Sequence, residues 1–387
     1  MNLSEDILNR LKTLFDEPVS LSEPFFDSAD RSAVSDCVAS GWVSSVGQYV
    51  DQFEKQLAEL HQVRHAIACV NGTAALQVAL KIVGVREGDE VLMPSFSFVA
   101  TANAASFLGA IPHFVDVDPA TLGLHPTELR DYLRTYAEMS NGLCRNKKTG
   151  RPIRALVPMH TFGNPVDMIP LMEVAAEFGL TLVEDAAESI GTLYRGRRTG
   201  SFGKVAALSF NGNKIITTGG GGAILTSDSE LAQRAKHLTT TAKLAHAWAF
   251  EHDEIGYNYR LPNLNAALGV SQLQKLDRLL AGRKNLFRRY QKEFQDLAGA
   301  RLFSCPSFGT PNHWMIALVL DKADLRQRDE ILNLTNRHKI QTRPAWNLLH
   351  TLPMYKSNPR GPLRYSEDLY RRIINLPSSS HLGFESE

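Results

Sequence analysis

Lys214 lies in the segment SFNGNKIITTGGGGAIL, Ser209–Leu225, just past an apolar run that reads as a strand, and four glycines follow at Gly219–Gly222. A lysine that forms an imine with an aldehyde must be held at its partner with its amine pKa lowered, by desolvation or by neighbouring cations. Glycines beside it let backbone approach where side chains would clash. Taken alone, the segment reads more readily as a surface lysine beside a glycine hairpin. A second group stands in TLVEDAAESIG, Thr181–Gly191, where Asp185 ends another apolar run. Open α/β sheets place ligand-binding groups outside the carboxyl ends of their strands. A carboxylate buried there is costly unless a cation pairs with it, and a protonated pyridine nitrogen is such a cation. Read alone, Glu184 or Asp185 also serves as a helix cap.

In VNGTAALQVALKIVG, Val70–Gly84, an apolar run gives way to Asn-Gly-Thr and then to an amphipathic helical pattern. Backbone N–H groups at Gly72 and beyond, with the Thr73 hydroxyl, would meet a phosphate at that helix start, although an ordinary cap by Asn71 or Thr73 explains the same residues. Ser209, five residues before Lys214, is a further phosphate donor. In PSFSFVATANA, Pro94–Ala104, Phe98 could stack on a planar heterocycle, or belong to the core.

Other chemistries lack their motifs. The chain holds no GxxxxGK[ST], no GxGxxG after a strand, no HExxH and no GxSxG elbow. His246 and His252, near Asp253, are not at metal-ligand spacing, and no metal is expected.

The elements that must hold these groups follow from periodicity. Strands are expected at Ala66–Val70, Glu90–Met93, Ile111–Val117, Ala155–Pro158, Leu180–Glu184, Val205–Phe210 and Gly222–Thr226. Helices are expected between them at Gly72–Val83, Ala100–Leu108, Ile169–Phe178 and Glu230–Thr239, which predicts an α/β fold with a mainly parallel sheet. The polar stretch Ser140–Pro152 reads as a surface loop. At the start, Ile7, Leu8, Leu11, Leu14 and Phe15 share one helical stripe that Ser4 would cap. From Asn263 to Leu297 one or two long helices are expected, then a strand at Trp314–Leu320, a helix at Leu325–His338 and a strand-like Ile340–Pro344.

A hydrophobic content of 43% with 21% charged residues is that of an ordinary soluble enzyme. The net charge of +1 provides no field toward nucleic acid or an anionic membrane. The four cysteines form no CxxC pair, no run is long enough to span a membrane, and the N-terminus has no signal-peptide pattern. A cytoplasmic protein that engages neither nucleic acid nor membrane is expected.

The order and spacing of these segments resemble the DegT/StrS-type sugar aminotransferases, fold-type I enzymes that depend on pyridoxal phosphate (PLP). The resemblance runs from GWVSSVGQYVDQFE (Gly41–Glu54) through NGTAAL, SFVATAN, EDAAES, SFNGNKI and GYNYRLPNLNAAL (Gly256–Leu268) to TRPAW (Thr342–Trp346). It implies a helical extension over 1–20, a large PLP-binding domain over 21–262 whose seven-stranded, mainly parallel sheet is flanked by helices, and a small α+β domain over 263–387. Lys214 would bear the cofactor and Asp185 would pair with its pyridine nitrogen. Gly72, Thr73, Ala74 and Ser209 would hold the phosphate, Phe98 the ring face, and Glu188 the ring hydroxyl. Relatives more often carry Gln or His at the Glu188 position, so this carboxyl donates there only when protonated. Asn258 would reach the phosphate of a partner subunit, which implies a homodimer with shared active sites. His160, within Met159–Gly163, and His350, in LLHTLPMY, are the candidate substrate contacts.

Within the family, GWVSSVG, MHTFG, LTTTAK and HDEIGYNYR are most similar to the branch that aminates C4 of UDP-4-keto-6-deoxy-N-acetylglucosamine with L-glutamate, for bacterial surface glycans. The perosamine synthases, which take GDP-4-keto-6-deoxymannose, are the alternative. A third reading, of another class, is a PLP-binding regulatory protein that has lost its catalysis.

Overall fold

Residues 2–384 are described by the computed structural model. Met1 and residues 385–387, the extremes of the expected N-terminal extension and C-terminal domain, lie outside them.

Three helices precede the first strand: α1 (Leu3–Leu14), α2 (Ser28–Ser40) and α3 (Gln48–His61). The predicted stripe of α1 is buried at Ile7, Leu8 and Leu11, but Ser4 is not its cap. Asn2 caps it in a reciprocal capping box with Glu5, and Ser4, inside the helix, accepts a 2.8 Å hydrogen bond from Gln327. Two polar residues stand near the helix start, and only the backbone geometry distinguishes cap from first turn.

Each of the seven predicted strands forms: β1 (His65–Cys69), β2 (Glu90–Pro94), β3 (Ile111–Val115), β4 (Ile153–Leu156), β5 (Thr181–Asp185), β6 (Val205–Ser209) and β7 (Gly222–Thr226). They make one sheet in the order β1-β7-β6-β5-β4-β2-β3. The strands from β3 across to β6 run parallel, while β7 is antiparallel to both β6 and β1. Helices cover both faces, so the strands are buried almost throughout and read as unbroken apolar runs. Among these helices are α4 (Gly72–Ile82), α5 (Val99–Ser106), α6 (Pro126–Tyr136), α7 (Met168–Glu177) and α8 (Ser229–Thr239). This is the α/β, fold-type I architecture expected.

The stretch Ser140–Pro152 is not simply loop. Ala137–Ser140 and Leu143–Asn146 pair as a hairpin across Asn141-Gly142, both residues with positive φ (52° and 74°). Asn-Gly is the preferred two-residue hairpin turn, a signal that the polar composition concealed. Buried Glu90 anchors the hairpin by accepting hydrogen bonds from Asn146 (2.9 Å) and Thr149 (2.6 Å).

The expected long helical stretch is two helices, α9 (Asn263–Gln274) and α10 (Leu276–Glu293). Beyond them β8 (Ala300–Leu302), β9 (Ile316–Leu320), β10 (Arg343–Pro344) and β11 (Ile373–Leu376) form a second sheet, ordered β8-β9-β11-β10. Helices α11 (Leu325–Arg337) and α12 (Arg364–Arg372) complete this part. Of the strand expected at Ile340–Pro344 only Arg343–Pro344 joins the sheet, because Ile340 bridges instead to Val19. Helix α1 shares a core with these late elements: Ile7, Leu8 and Leu11 pack with Leu286, Tyr290, Leu318 and Ile331. Among the described residues no helix is long and apolar enough to cross a membrane.

Candidate active site

The carboxyl ends of β1, β2, β5 and β6 open on a cavity of about 330 Å³, and Gly72, Thr73, Phe98, Asp185, Glu188, Ser209 and Lys214 all line it. Residues far apart in sequence meet there because a parallel sheet brings all its strand ends to one edge.

Asp185 ends β5 and is 5% exposed. Its Oδ2 accepts from Thr101 Oγ1 (2.7 Å) and its Oδ1 from the Ala187 N–H (3.2 Å). Burial pushes its pKa up, while the Thr101 and Ala187 hydrogen bonds and the charge of Lys214 pull it down. No cationic side chain lies within ion-pair distance of it among the described residues, so a cationic ligand atom would meet an oriented, desolvated carboxylate.

Glu184, one residue earlier, points to the other side of the sheet. It accepts from the N–H groups of Gly200 (2.7 Å), Phe202 (2.6 Å) and Gly203 (2.6 Å), and meets His160 Nε2 at 3.0 Å. Neither acid is a helix cap. Glu184 pins the Gly200–Gly203 loop, and Asp185 alone faces the cavity.

The Lys214 amine lies 3.8 Å from the centre of the Trp314 ring and 3.5 Å from Glu188 Oε1. Burial lowers the lysine's pKa from its ordinary value, with Glu188 and Asp185 opposing. The same burial pushes Glu188 up out of the usual carboxylate range, against the pull of Lys214 and of the Phe162 N–H (2.9 Å to Oε2). Desolvation thus favours the neutral forms of both members of the pair. A protonated Glu188 satisfies the condition under which a carboxyl at this position can donate a hydrogen bond.

Asn71 caps α4 by accepting from the Ala74 N–H (2.8 Å), so Ala74, expected at the phosphate, already has its partner. Ala74 is buried behind the cavity wall, whereas Gly72 and Thr73 form that wall. A Cβ on Gly72 would sit 2.8 Å from Ser209 Cβ, so glycine is what brings the helix start against the end of β6. The fourth glycine after Lys214 has a related task. A Cβ on Gly222 would lie 2.5 Å from the Asn71 carbonyl and 2.6 Å from Gly72 N.

Phe98, 47% exposed, precedes α5 on the cavity wall, its ring centre 6.0 Å from that of Trp346. His160 and His350 do not reach the cavity wall. His160 is fully buried between Glu184 and the Val166 N–H (3.1 Å), and His350 Nδ1 is 2.7 Å from Ser95 Oγ. Asn258 is exposed outside the cavity and accepts from Arg260 (2.8 Å). Among the lining residues with no role assigned from sequence are Trp314, Trp346 and Asn213. Trp314 arrives from 100 positions beyond Lys214, and no local pattern distinguishes it from a core aromatic.

His246 and His252 are engaged with the backbone of their own loop, at Ala249 N (2.9 Å) and Thr241 O (2.8 Å). His237, Asp253 and Glu254 do cluster at the surface, where Arg234 pairs with Glu254.

The model of the DegT/DnrJ/EryC1/StrS aminotransferase family matches residues 25–386. EpsN of Bacillus subtilis (strain 168) is 36% identical over 370 residues, covering 94% of this chain and 92% of that protein. The GDP-perosamine synthase of Escherichia coli O157:H7 is 34% identical, with 95% of each chain covered. A crystal structure of a DegT DnrJ EryC1 StrS aminotransferase from Brucella abortus superposes with a TM-score of 0.82 at 31% identity, over 91% of each chain.

Proposed function

The chain belongs to the DegT/DnrJ/EryC1/StrS aminotransferase family, and from that premise we propose that it moves an amino group from L-glutamate to C4 of a nucleotide-linked 4-keto-6-deoxy sugar. The family is PLP-dependent, and the residues of the cavity fit that cofactor. Lys214 would hold its aldehyde carbon, Asp185 its pyridine nitrogen, and Gly72, Thr73 and Ser209 its phosphate. Phe98 would hold its ring face and Glu188 its hydroxyl. When bound, PLP supplies an electron sink for the pair left behind when a proton departs from carbon.

The observation that carries the reading is the lysine beside Trp314 and Glu188. Burial lowers the pKa of the Lys214 amine and so favours its free base, which Nζ would use to take the proton from the α-carbon of glutamate. The same nitrogen would hand that proton to the cofactor's aldehyde carbon, and in the second half-reaction take a proton back from that carbon and deliver it to C4 of the sugar. Asp185, oriented by Thr101, holds a negative charge where positive charge must be kept. Trp314, Trp346 and Phe98 wall the cavity with rings and limit water at the reacting carbon.

Two sugars fit. The GWVSSVG and MHTFG runs favour UDP-4-keto-6-deoxy-N-acetylglucosamine, and the GDP-perosamine synthases among the relatives favour GDP-4-keto-6-deoxymannose. Either product is a precursor of bacterial surface glycans made in the cytoplasm. We infer a homodimer in which exposed Asn258 reaches the partner's phosphate site.

PLP-loaded protein should lose its visible lysine-linked band on adding glutamate and regain it with one of the two sugars. Recovery names the nucleotide, and no response to glutamate points to a regulatory PLP-binding protein instead.

Gly222→Ala tests the phosphate cradle. The added methyl meets backbone, which cannot rotate away, so the Asn71–Gly72 turn must shift. The expected cost is about 1–3 kcal/mol of stability, together with weaker PLP binding. Thermal unfolding and a PLP titration measure both, and unchanged PLP affinity would remove the phosphate from this turn.

A further inference from the structure

Arg283, on α10, is fully buried, and no carboxylate lies within ion-pair distance of it among the described residues. Its partners are neutral. Nε donates to Ser380 Oγ (3.0 Å), Nη1 to the Trp314 carbonyl (2.7 Å) and Nη2 to Ser22 Oγ (3.3 Å). A buried guanidinium without a counter-charge costs several kcal/mol in desolvation, and an apolar side chain of its volume would usually stabilise the core more. Burial alone draws its pKa down to about 9.

What it holds leads to the cavity. Trp314 Nε1 donates to the Asn213 carbonyl (2.7 Å), and Ser22 Oγ donates to that same oxygen (3.1 Å). A closed ring results, Arg283–Trp314–Asn213–Ser22, and the residue after Asn213 is Lys214. The Trp314 indole in the ring is also the face over which the lysine amine sits. Four stretches of chain are tied together: the segment before α2, the turn after β6, helix α10 and the approach to β9.

We propose that Arg283 is a positioning residue for Lys214, fixing through Trp314 and Ser22 the carbonyl next to the lysine and the ring beneath its amine. It touches no reacting atom. Its charge strengthens the two hydrogen bonds it donates into the ring, to the Trp314 carbonyl and to Ser22 Oγ, and Trp314 and Ser22 in turn donate to one oxygen. The proposal rests on Lys214 being the cofactor-bearing lysine.

The test uses full-length, PLP-loaded protein and the variants Ser22→Ala, Trp314→Phe, their double, Arg283→Lys and Arg283→Met. Trp314→Phe keeps an aromatic ring under the amine while removing the indole N–H together with part of the ring system. Three quantities are read: the pH midpoint of the visible band, the rate of the glutamate half-reaction per loaded site, and the thermal midpoint. Ser22→Ala and Trp314→Phe should each slow the half-reaction by up to about tenfold, the worth of one hydrogen bond. Arg283→Met should slow it on the order of 100-fold, as misplacement of a reacting group does. The pH midpoint should move by on the order of half a unit, and Arg283→Lys should recover part of both effects. The double variant should be less than additive, because both donors serve one acceptor.

If Arg283→Met lowers the thermal midpoint but leaves the pH midpoint and rate of loaded sites unchanged, Arg283 serves the fold alone and the proposal is overturned. Should that variant not fold, unshifted midpoints in Ser22→Ala and Trp314→Phe overturn it equally. A wild type without a lysine-linked band would remove the Lys214 assignment and this proposal with it, whereas a normal wild type with unmoved variants removes the proposal alone.

Discussion

Lys214→Ala is expected to abolish multiple turnover, with residual activity below about one part in 10⁴. Two losses would coincide at this nitrogen under the proposed role: the covalent hold on the cofactor and the base that moves protons to and from carbon. The fold should survive. The alanine removes a buried amine whose desolvation was only partly offset, and the neighbour it strands has an alternative. Glu188 is already pushed toward its neutral form by burial and keeps the Phe162 N–H, so no bare charge is left behind. The thermal midpoint of the apoprotein should therefore stay within a few degrees of wild type, roughly the shift that 1 kcal/mol produces in a chain of this size. Turnover assays with stoichiometric and excess sugar separate a single event from a cycle. Sustained cycling by Lys214→Ala would refute the role given to this lysine.

How far the site was legible follows from where its members sit. Asp185, Ser209 and Phe98 each stand at or just past the carboxyl end of a buried strand, and the Gly72-Thr73 pair opens the helix after β1. Apolar runs mark such strands plainly, and a parallel sheet gathers their ends, so local pattern and topology agreed. Glu184 and Asp185 could not be told apart by type, only by the alternation that sends one toward Gly200–Gly203 and the other into the cavity. His160 has the chemistry of a substrate contact, yet its two nitrogens are spent on Glu184 and Val166. Nothing in MHTFG shows which face of the chain the imidazole takes. Trp314 and Arg283 were illegible for a different reason: Trp314 matters through its contacts with Lys214 and Asn213, and Arg283 through its hydrogen bond to the Trp314 carbonyl, all made across a long separation by the packing of the C-terminal elements.

Asp185→Asn is the second large expected effect, and it isolates charge from shape. The amide has the carboxylate's outline, and the Ala187 N–H can still donate to its oxygen. What disappears is the negative charge that would keep a pyridine nitrogen protonated in a desolvated site. Effects of one preorganised electrostatic partner run to about 2.7–4 kcal/mol of barrier, or roughly 10²–10³-fold in rate. Both half-reactions should slow alike, since each depends on the same electron sink, and glutamate affinity should change far less than rate. Thr101→Val provides the graded companion. It keeps the charge but removes the 2.7 Å hydrogen bond that lowers the pKa of Asp185, so burial raises that pKa further. The acid limb of the pH–rate profile should then move to higher pH, with a smaller loss at the optimum. Single-turnover rates across pH distinguish the two variants. Wild-type rates in Asp185→Asn would mean that the ring nitrogen is controlled from elsewhere, and the buried carboxylate at the end of β5 would need another purpose.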